Sequence, residues 1–80
     1  MARSFEIRAE NGVESLLRIV GILKRKRFDI KNVNMEHVEG MATSLMITLG
    51  DDSEYAPEYA MKHVEKLFGI SEIKEIKGEN

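Results

Sequence analysis

The feature that most constrains this chain is the order in which its hydrophobic periodicity changes. Phe5, Ile7 and Ala9 alternate with Glu6 and Arg8, the period of two expected of a half-buried strand. Asn11-Gly12 interrupts the alternation with turn-forming residues. From about Val13 to Lys26 the period becomes helical: Val13, Leu16, Leu17, Val20 and Leu23 form a stripe that Ile19 and Ile22 widen. Glu14 in the first turn and the run Lys24-Arg25-Lys26-Arg27 at the end suit the helix dipole. On this reading Leu17 faces the core, so Leu17→Asp is expected to unfold the domain. Gly21 costs ~1 kcal/mol relative to Ala inside a helix, and its expected reason is close approach to a sheet.

Phe28 to Val38 returns to strand character. Ile30 and the pair Val33 and Met35 differ in phase, which predicts a strand that starts near Val33 or carries a bulge. Glu39-Gly40 turns the chain into Ala42–Leu49, where Leu45, Ile47 and Leu49 share one face and Ser44, Met46 and Thr48 the other. These two strands read as an antiparallel hairpin. A loop at Gly50-Asp51-Asp52-Ser53 precedes a second helical stripe of Ala60, Met61, Val64, Leu67 and Phe68, with Pro57 in its first turn and Gly69 placed to end it. Ile70, Ile73 and Ile76 then mark a short last strand, Ile70 to Lys77, of poor alternation, and Lys77-Gly78-Glu79-Asn80 reads as a frayed end.

Strand, helix, strand, strand, helix, strand, joined by right-handed crossovers, predicts an α+β fold: a ferredoxin-like βαββαβ sandwich. Its four-stranded antiparallel sheet would carry two helices on one face, in a single domain spanning residues 1–80. The strand Val33–Val38 is expected at an edge. The uncovered face would carry Ser44, Met46, Thr48 and, with its phase unsettled, Met35. A partner is expected on that face or along an edge strand.

Composition narrows the function classes. The 80 residues include 12 Lys and Arg against 14 Asp and Glu, a net charge of −2, which disfavours a dedicated nucleic-acid binder. RNA-binding members of this topology stack bases on aromatics of the two central strands. Here those are the first and third strands, and the only aromatic they carry, Phe5, alternates with Ile7 toward the core. The absence of cysteine excludes disulfides, thiolate metal sites and a cysteine nucleophile. His37 and His63 fall in different elements without acidic partners at metal-ligand spacing, and read as surface or rim residues. Asp51-Asp52 reads as a solvated turn, and no serine sits in a nucleophile-elbow context. No apolar run reaches the length of a membrane span, and the mixed N-terminus does not resemble a signal peptide. A reducing, cytoplasmic location is the expectation.

The loop Asn11-Gly12-Val13 enters the first helix. Unpaired N–H groups at a helix start can hold a carboxylate, and the Asn11 amide offers both a donor and an acceptor. A plain turn with Asn11 as N-cap fits the same residues, and on periodicity alone that plainer reading is favoured.

The run Asn11-Gly12-Val13-Glu14-Ser15-Leu16-Leu17-Arg18-Ile19-Val20-Gly21-Ile22-Leu23, followed by Arg27-Phe28-Asp29-Ile30, resembles the ACT domain. More narrowly it resembles the small regulatory subunit of acetolactate synthase, whose first helix contains Leu-x-Arg-[Val/Ile]-x-Gly-[Leu/Ile]-[Phe/Leu] and is followed by Arg-Gly-[Tyr/Phe]-Asn-Ile. Leu16-x-Arg18-Ile19-x-Gly21-Ile22-Leu23 matches without a gap, and Val64-Glu65-Lys66-Leu67 resembles a later motif. The resemblance implies an effector site at a dimer interface. Asn11, Gly12, Val13 and Glu14 would line one side, and Asp29 and Ile30 of the facing subunit the other. Glu14 stands where the family has glycine, Asp29 where it has asparagine, and Arg27 where it has the glycine of Arg-Gly-[Tyr/Phe]. Two added carboxylates repel an effector's carboxylate, so the resemblance is to short subunits with weak or absent valine feedback. Arg27 would require its turn to be built at some strain.

The resemblance therefore implies a non-catalytic regulatory small subunit that forms a homodimer. It would activate a thiamine-diphosphate-dependent acetolactate synthase large subunit in branched-chain amino-acid biosynthesis. Thiamine diphosphate, magnesium and FAD would belong to the large subunit, and this chain would hold no cofactor. The candidate effectors are valine, isoleucine and leucine. A free-standing ACT-like amino-acid sensor acting as a homodimer, and a ligand-free protein-assembly module, remain the alternatives.

Overall fold

In the computed structural model, which describes residues 2–37, 42–50 and 55–76, the chain runs β1 (Arg3–Ala9), α1 (Gly12–Arg25), β2 (Ile30–Glu36), β3 (Thr43–Leu49), α2 (Pro57–Val64) and β4 (Ile70–Ile76). The strands form one sheet in the order β2-β3-β1-β4, and the paired strands are antiparallel. Each helical crossover therefore joins two parallel strands with a third between them, the split βαβ unit expected. β2 lies at an edge, as its sequence suggested. The turn at Glu39-Gly40, the acidic part of the loop after Gly50, and the end at Lys77–Asn80 lie outside the described residues.

One sheet face carries the core. Phe5, Ile7 and Ala9 of β1 and Leu45, Ile47 and Leu49 of β3 are buried against Ile19 and Leu23 of α1 and Ala60, Met61 and Val64 of α2, so both helices cover the same face. Two irregularities explain the unusual spacings in the edge strands. In β2 the register slips between Ile30 and Asn32, so Lys31 is the extra residue of a bulge and Ile30 and Val33 both pack toward the core. The strand begins at Ile30 rather than near Val33. In β4, Glu72 pairs with Arg8 but Ile70 pairs with Ala9. Ser71 is bulged, its hydroxyl donates to the Arg8 carbonyl at 3.1 Å, and Ile70 and Ile73 join the core.

The structure corrects several expectations. The buried side of α1 is centred on Ser15, Ile19 and Leu23, with Leu16 and Ile22 packed beside it. Val13 and Leu17, read as core residues, are 61% and 67% exposed. The cause is the richness of the helix in apolar residues: a stripe wider than the contact surface leaves its centre undetermined. Leu17→Asp accordingly loses its reason to unfold the domain. Nothing stands within 4 Å of where a Cβ on Gly21 would sit, so that glycine serves no close approach. Met35 pairs with Leu45 and so lies on the helix side of the sheet. α2 ends at Val64, short of Leu67 and Phe68. Leu67 still packs on the core, but Phe68 is exposed. Gly69, with φ of 91°, turns the chain into β4 instead of ending the helix. His37 falls just past β2.

The uncovered face is polar. It presents Glu6 and Ser44, joined by a 3.0 Å hydrogen bond from the hydroxyl, and Ser4 and Thr48, whose hydroxyls lie 2.8 Å apart. Asn32, Asn34 and Glu36 share its register with Thr48, Met46 and Ser44. An apolar face in need of cover is absent among the described residues, so the argument for a partner there falls away.

The end of α1 is a Schellman motif built on arginine. The Phe28 N–H donates to the Leu23 carbonyl at 2.9 Å and the Arg27 N–H to the Lys24 carbonyl at 3.0 Å, the paired bonds that define it. Arg27 occupies the left-handed position with φ of 66°, where a Cβ is disfavoured. Phe28 and Leu23, both buried, supply the hydrophobic contact that accompanies the motif. The strain expected at Arg27 is thus present, held in place by the burial of its neighbour.

Candidate functional site

The loop between β1 and α1 is fixed from below. The Glu10 N–H donates to the Gly69 carbonyl at 2.9 Å, and the Asn11 carbonyl accepts the Ser15 N–H at 2.7 Å to start the helix. Asn11 is the N-cap, yet its side chain makes no capping hydrogen bond, so it does not occupy the first-turn donors. Gly12 rests on Thr43: an added Cβ would lie 2.6 Å from the Thr43 Oγ1. Thr43 and Ser15 are the buried polar residues beneath the loop, and the Thr43 hydroxyl lies 3.2 Å from His37 Nδ1. Val13 and Glu14 are exposed, and the Glu14 carboxylate is 3.3 Å from the Arg18 guanidinium one turn on.

Asp29 and Ile30 lie at the other end of the sheet. The Asp29 carbonyl accepts the Gly50 N–H at 2.8 Å, its carboxylate is 3.4 Å from Lys31 Nζ, and Ile30 pairs with Leu49 and packs on the core. Thr43 and Leu49 are the two ends of β3. At about 3.3 Å per residue the two halves of the candidate site are roughly 20 Å apart within one chain. Asn11, Gly12, Val13 and Glu14 are brought together; Asp29 and Ile30 are brought together; a single chain does not join the two groups.

Of the cations that partner the two carboxylates, Arg18 enters the sequence reading only as a motif position and Lys31 not at all, although the i,i+4 spacing of Glu14 and Arg18 is a legible signal. Lys31 could not be read, because its approach to Asp29 depends on the β2 bulge. Among the described residues no group of three His, Cys, Asp or Glu side chains could hold a metal ion, and no helix is long and apolar enough to cross a membrane.

A family model of the ACT domain matches residues 11–73. The chain belongs to the ACT domain family. Similar solved structures agree with this fold. The crystal structure of the ACT domain from GTP pyrophosphokinase of Chlorobium tepidum superposes with a TM-score of 0.75 at 10% identity, covering 95% of this chain and 97% of that one. The solution NMR structure of the same domain gives 0.76 at 10% identity, covering 99% and 89%. No curated protein matches this chain. ACT domains are regulatory modules.

Proposed function

We propose that this ACT domain is a non-catalytic regulatory subunit that works as a homodimer. It would bind and activate the thiamine-diphosphate-dependent large subunit of an acetolactate synthase, with weak or absent feedback by valine, isoleucine or leucine. One observation carries the dimeric reading: the Asn11–Glu14 loop and the Asp29–Ile30 segment stand at opposite ends of the sheet, beside Thr43 and Leu49 at the two ends of β3. Two copies joined antiparallel along β2 about a two-fold axis would bring the start of β2 in one beside the end of β2 in the other. Each interface would then complete two sites. The exposed Val13 and Leu17, one turn apart on α1, offer apolar surface for a second copy to cover. The choice of acetolactate synthase rests on the motif Leu16-x-Arg18-Ile19-x-Gly21-Ile22-Leu23.

A free-standing amino-acid sensor is the second reading. It is favoured by the similar solved ACT domain, which comes from a different enzyme, a GTP pyrophosphokinase, so the fold suits more than one partner. A tagged pull-down from source-cell extract, with partners identified by mass, separates the two. Recovery of a thiamine-diphosphate synthase large subunit supports the regulatory subunit. Recovery of the chain alone supports the sensor, and Asn11→Ala should then abolish any amino-acid response while leaving the fold intact.

A further inference from the structure

The end of α1 and the outer side of α2 enclose a groove of about 330 Å³, lined by Lys26, Phe28, Tyr55, Tyr59 and His63. It shares no lining residue with either half of the candidate effector site. Phe28 is a buried apolar floor at 7% exposure, while Tyr55 and Tyr59 stand more than half exposed. Their rings meet edge to face, with centroids 5.9 Å apart and planes at 66°. Two large aromatic side chains left open to water beside a third form an apolar, ring-shaped recess. Its polar edge consists of the Lys26 ammonium, the His63 imidazole and the tyrosine hydroxyls. Each can donate a hydrogen bond, and among the described residues no carboxylate lines the groove.

We propose that this groove binds a small aryl carboxylate that lacks an ammonium group. The ring of such a ligand packs against the tyrosines over Phe28, and its carboxylate receives charge-assisted hydrogen bonds from Lys26 and the His63 edge. The volume is at the lower end of small-molecule sites, which limits the ligand to one ring and a short acid arm. An amino acid would bring its ammonium beside the Lys26 cation in a lining that, among the described residues, supplies no anion, and would lose affinity to that repulsion. The groove therefore selects deaminated acids, the opposite preference to an amino-acid sensor.

The chain provides its own reporter. It has two tyrosines and no tryptophan, so emission excited near 280 nm comes from Tyr55 and Tyr59 alone. 3-Phenylpropionate and phenylalanine, titrated into the full chain, differ chiefly in the ammonium group. The expected result is a saturable change in tyrosine emission with 3-phenylpropionate, and binding of phenylalanine at least tenfold weaker. Lys26→Met, at an exposed position, should weaken 3-phenylpropionate about tenfold with an unchanged far-UV circular dichroism spectrum. Asn11→Ala should leave this titration unaltered, which separates it from the effector site. Absence of saturation at millimolar 3-phenylpropionate, equal affinity for phenylalanine, or full affinity in Lys26→Met would each overturn the proposal.

Discussion

Replacing Arg27 by glycine should stabilise this domain, and the size of the effect follows from the backbone. Arg27 sits at φ of 66°, the left-handed position of the Schellman motif, where a residue with a Cβ pays roughly 1–2 kcal/mol. Glycine removes that penalty but has more freedom to lose from the unfolded chain, which returns roughly 0.4–1 kcal/mol. The net gain is about 0.5–1 kcal/mol. A domain of 80 residues unfolds with an entropy of about 170 cal/mol/K near its midpoint, so the melting temperature should rise by about 3–6 °C. Thermal and urea unfolding at fixed protein concentration measure this directly. Arg27→Ala is the control, since it keeps the Cβ and removes the charge from the run Lys24-Arg25-Lys26-Arg27. If alanine stabilises as much as glycine, relief of like-charge repulsion is the cause and the backbone argument is wrong. If glycine gives no gain, the left-handed geometry carries no cost here.

The corrected helix face gives a sharper pair: Ile19→Ala, at a position with no exposure, should cost about 2–4 kcal/mol. Leu17→Asp, at 67% exposure, should stay within about 0.5 kcal/mol of wild type, with weaker self-association by sedimentation. Gly12→Ala places a Cβ 2.6 Å from the Thr43 hydroxyl and should destabilise by about 1–3 kcal/mol; Thr43→Ala in the same chain should recover part of that loss in urea titrations. Arg3 joins Glu75 through two hydrogen bonds, at 2.7 and 2.8 Å, and also reaches Glu58. The Glu75 hydrogen bond is the main cause that raises its pKa. A raised pKa contributes stability that is fully present below the ordinary guanidinium value of the unfolded chain, and is lost only as pH climbs through the folded one. Arg3→Met should therefore lower stability by about 1 kcal/mol or less, equally at pH 7 and pH 9, and the deficit should shrink in 1 M salt.

The order of elements was legible because strand and helix periods differ and each element is long enough to display its own. The central strands were the easiest: Phe5, Ile7 and Ala9 and Leu45, Ile47 and Leu49 alternate without interruption. The edge strands were harder, since each bulge adds one residue and turns a period of two into a spacing of three, as in Ile30 to Val33 and Ile70 to Ile73. The face of α1 was misread for a different reason. Seven apolar residues within eleven positions leave several stripes equally plausible, and only the sheet decides among them. At the candidate site the Asn11 loop was legible through its turn chemistry and helix entry. The cationic partner of Asp29 was not: the phase shift before Val33 allowed a bulge, but not that it would place Lys31 beside Asp29.

The two proposed sites have opposite charge logic, and this makes the two proposals separable. In the proposed dimer, an effector's carboxylate would meet the first-turn N–H groups of α1, which the Asn11 side chain leaves uncapped. Its ammonium would find Asp29 of the facing copy. Each carboxylate that departs from the family pattern already has a cation beside it: Arg18 at Glu14 and Lys31 at Asp29. Those pairs lower the repulsion that Glu14 and Asp29 would exert on an effector, but they also compete with its ammonium for Asp29. The expected outcome is a site that tolerates an amino acid without holding it tightly, which is the physical content of weak feedback. The groove between Lys26 and Tyr59 has a cation and, among the described residues, no anion, so the ammonium that the proposed dimer site would use is the group that the proposed groove site would reject.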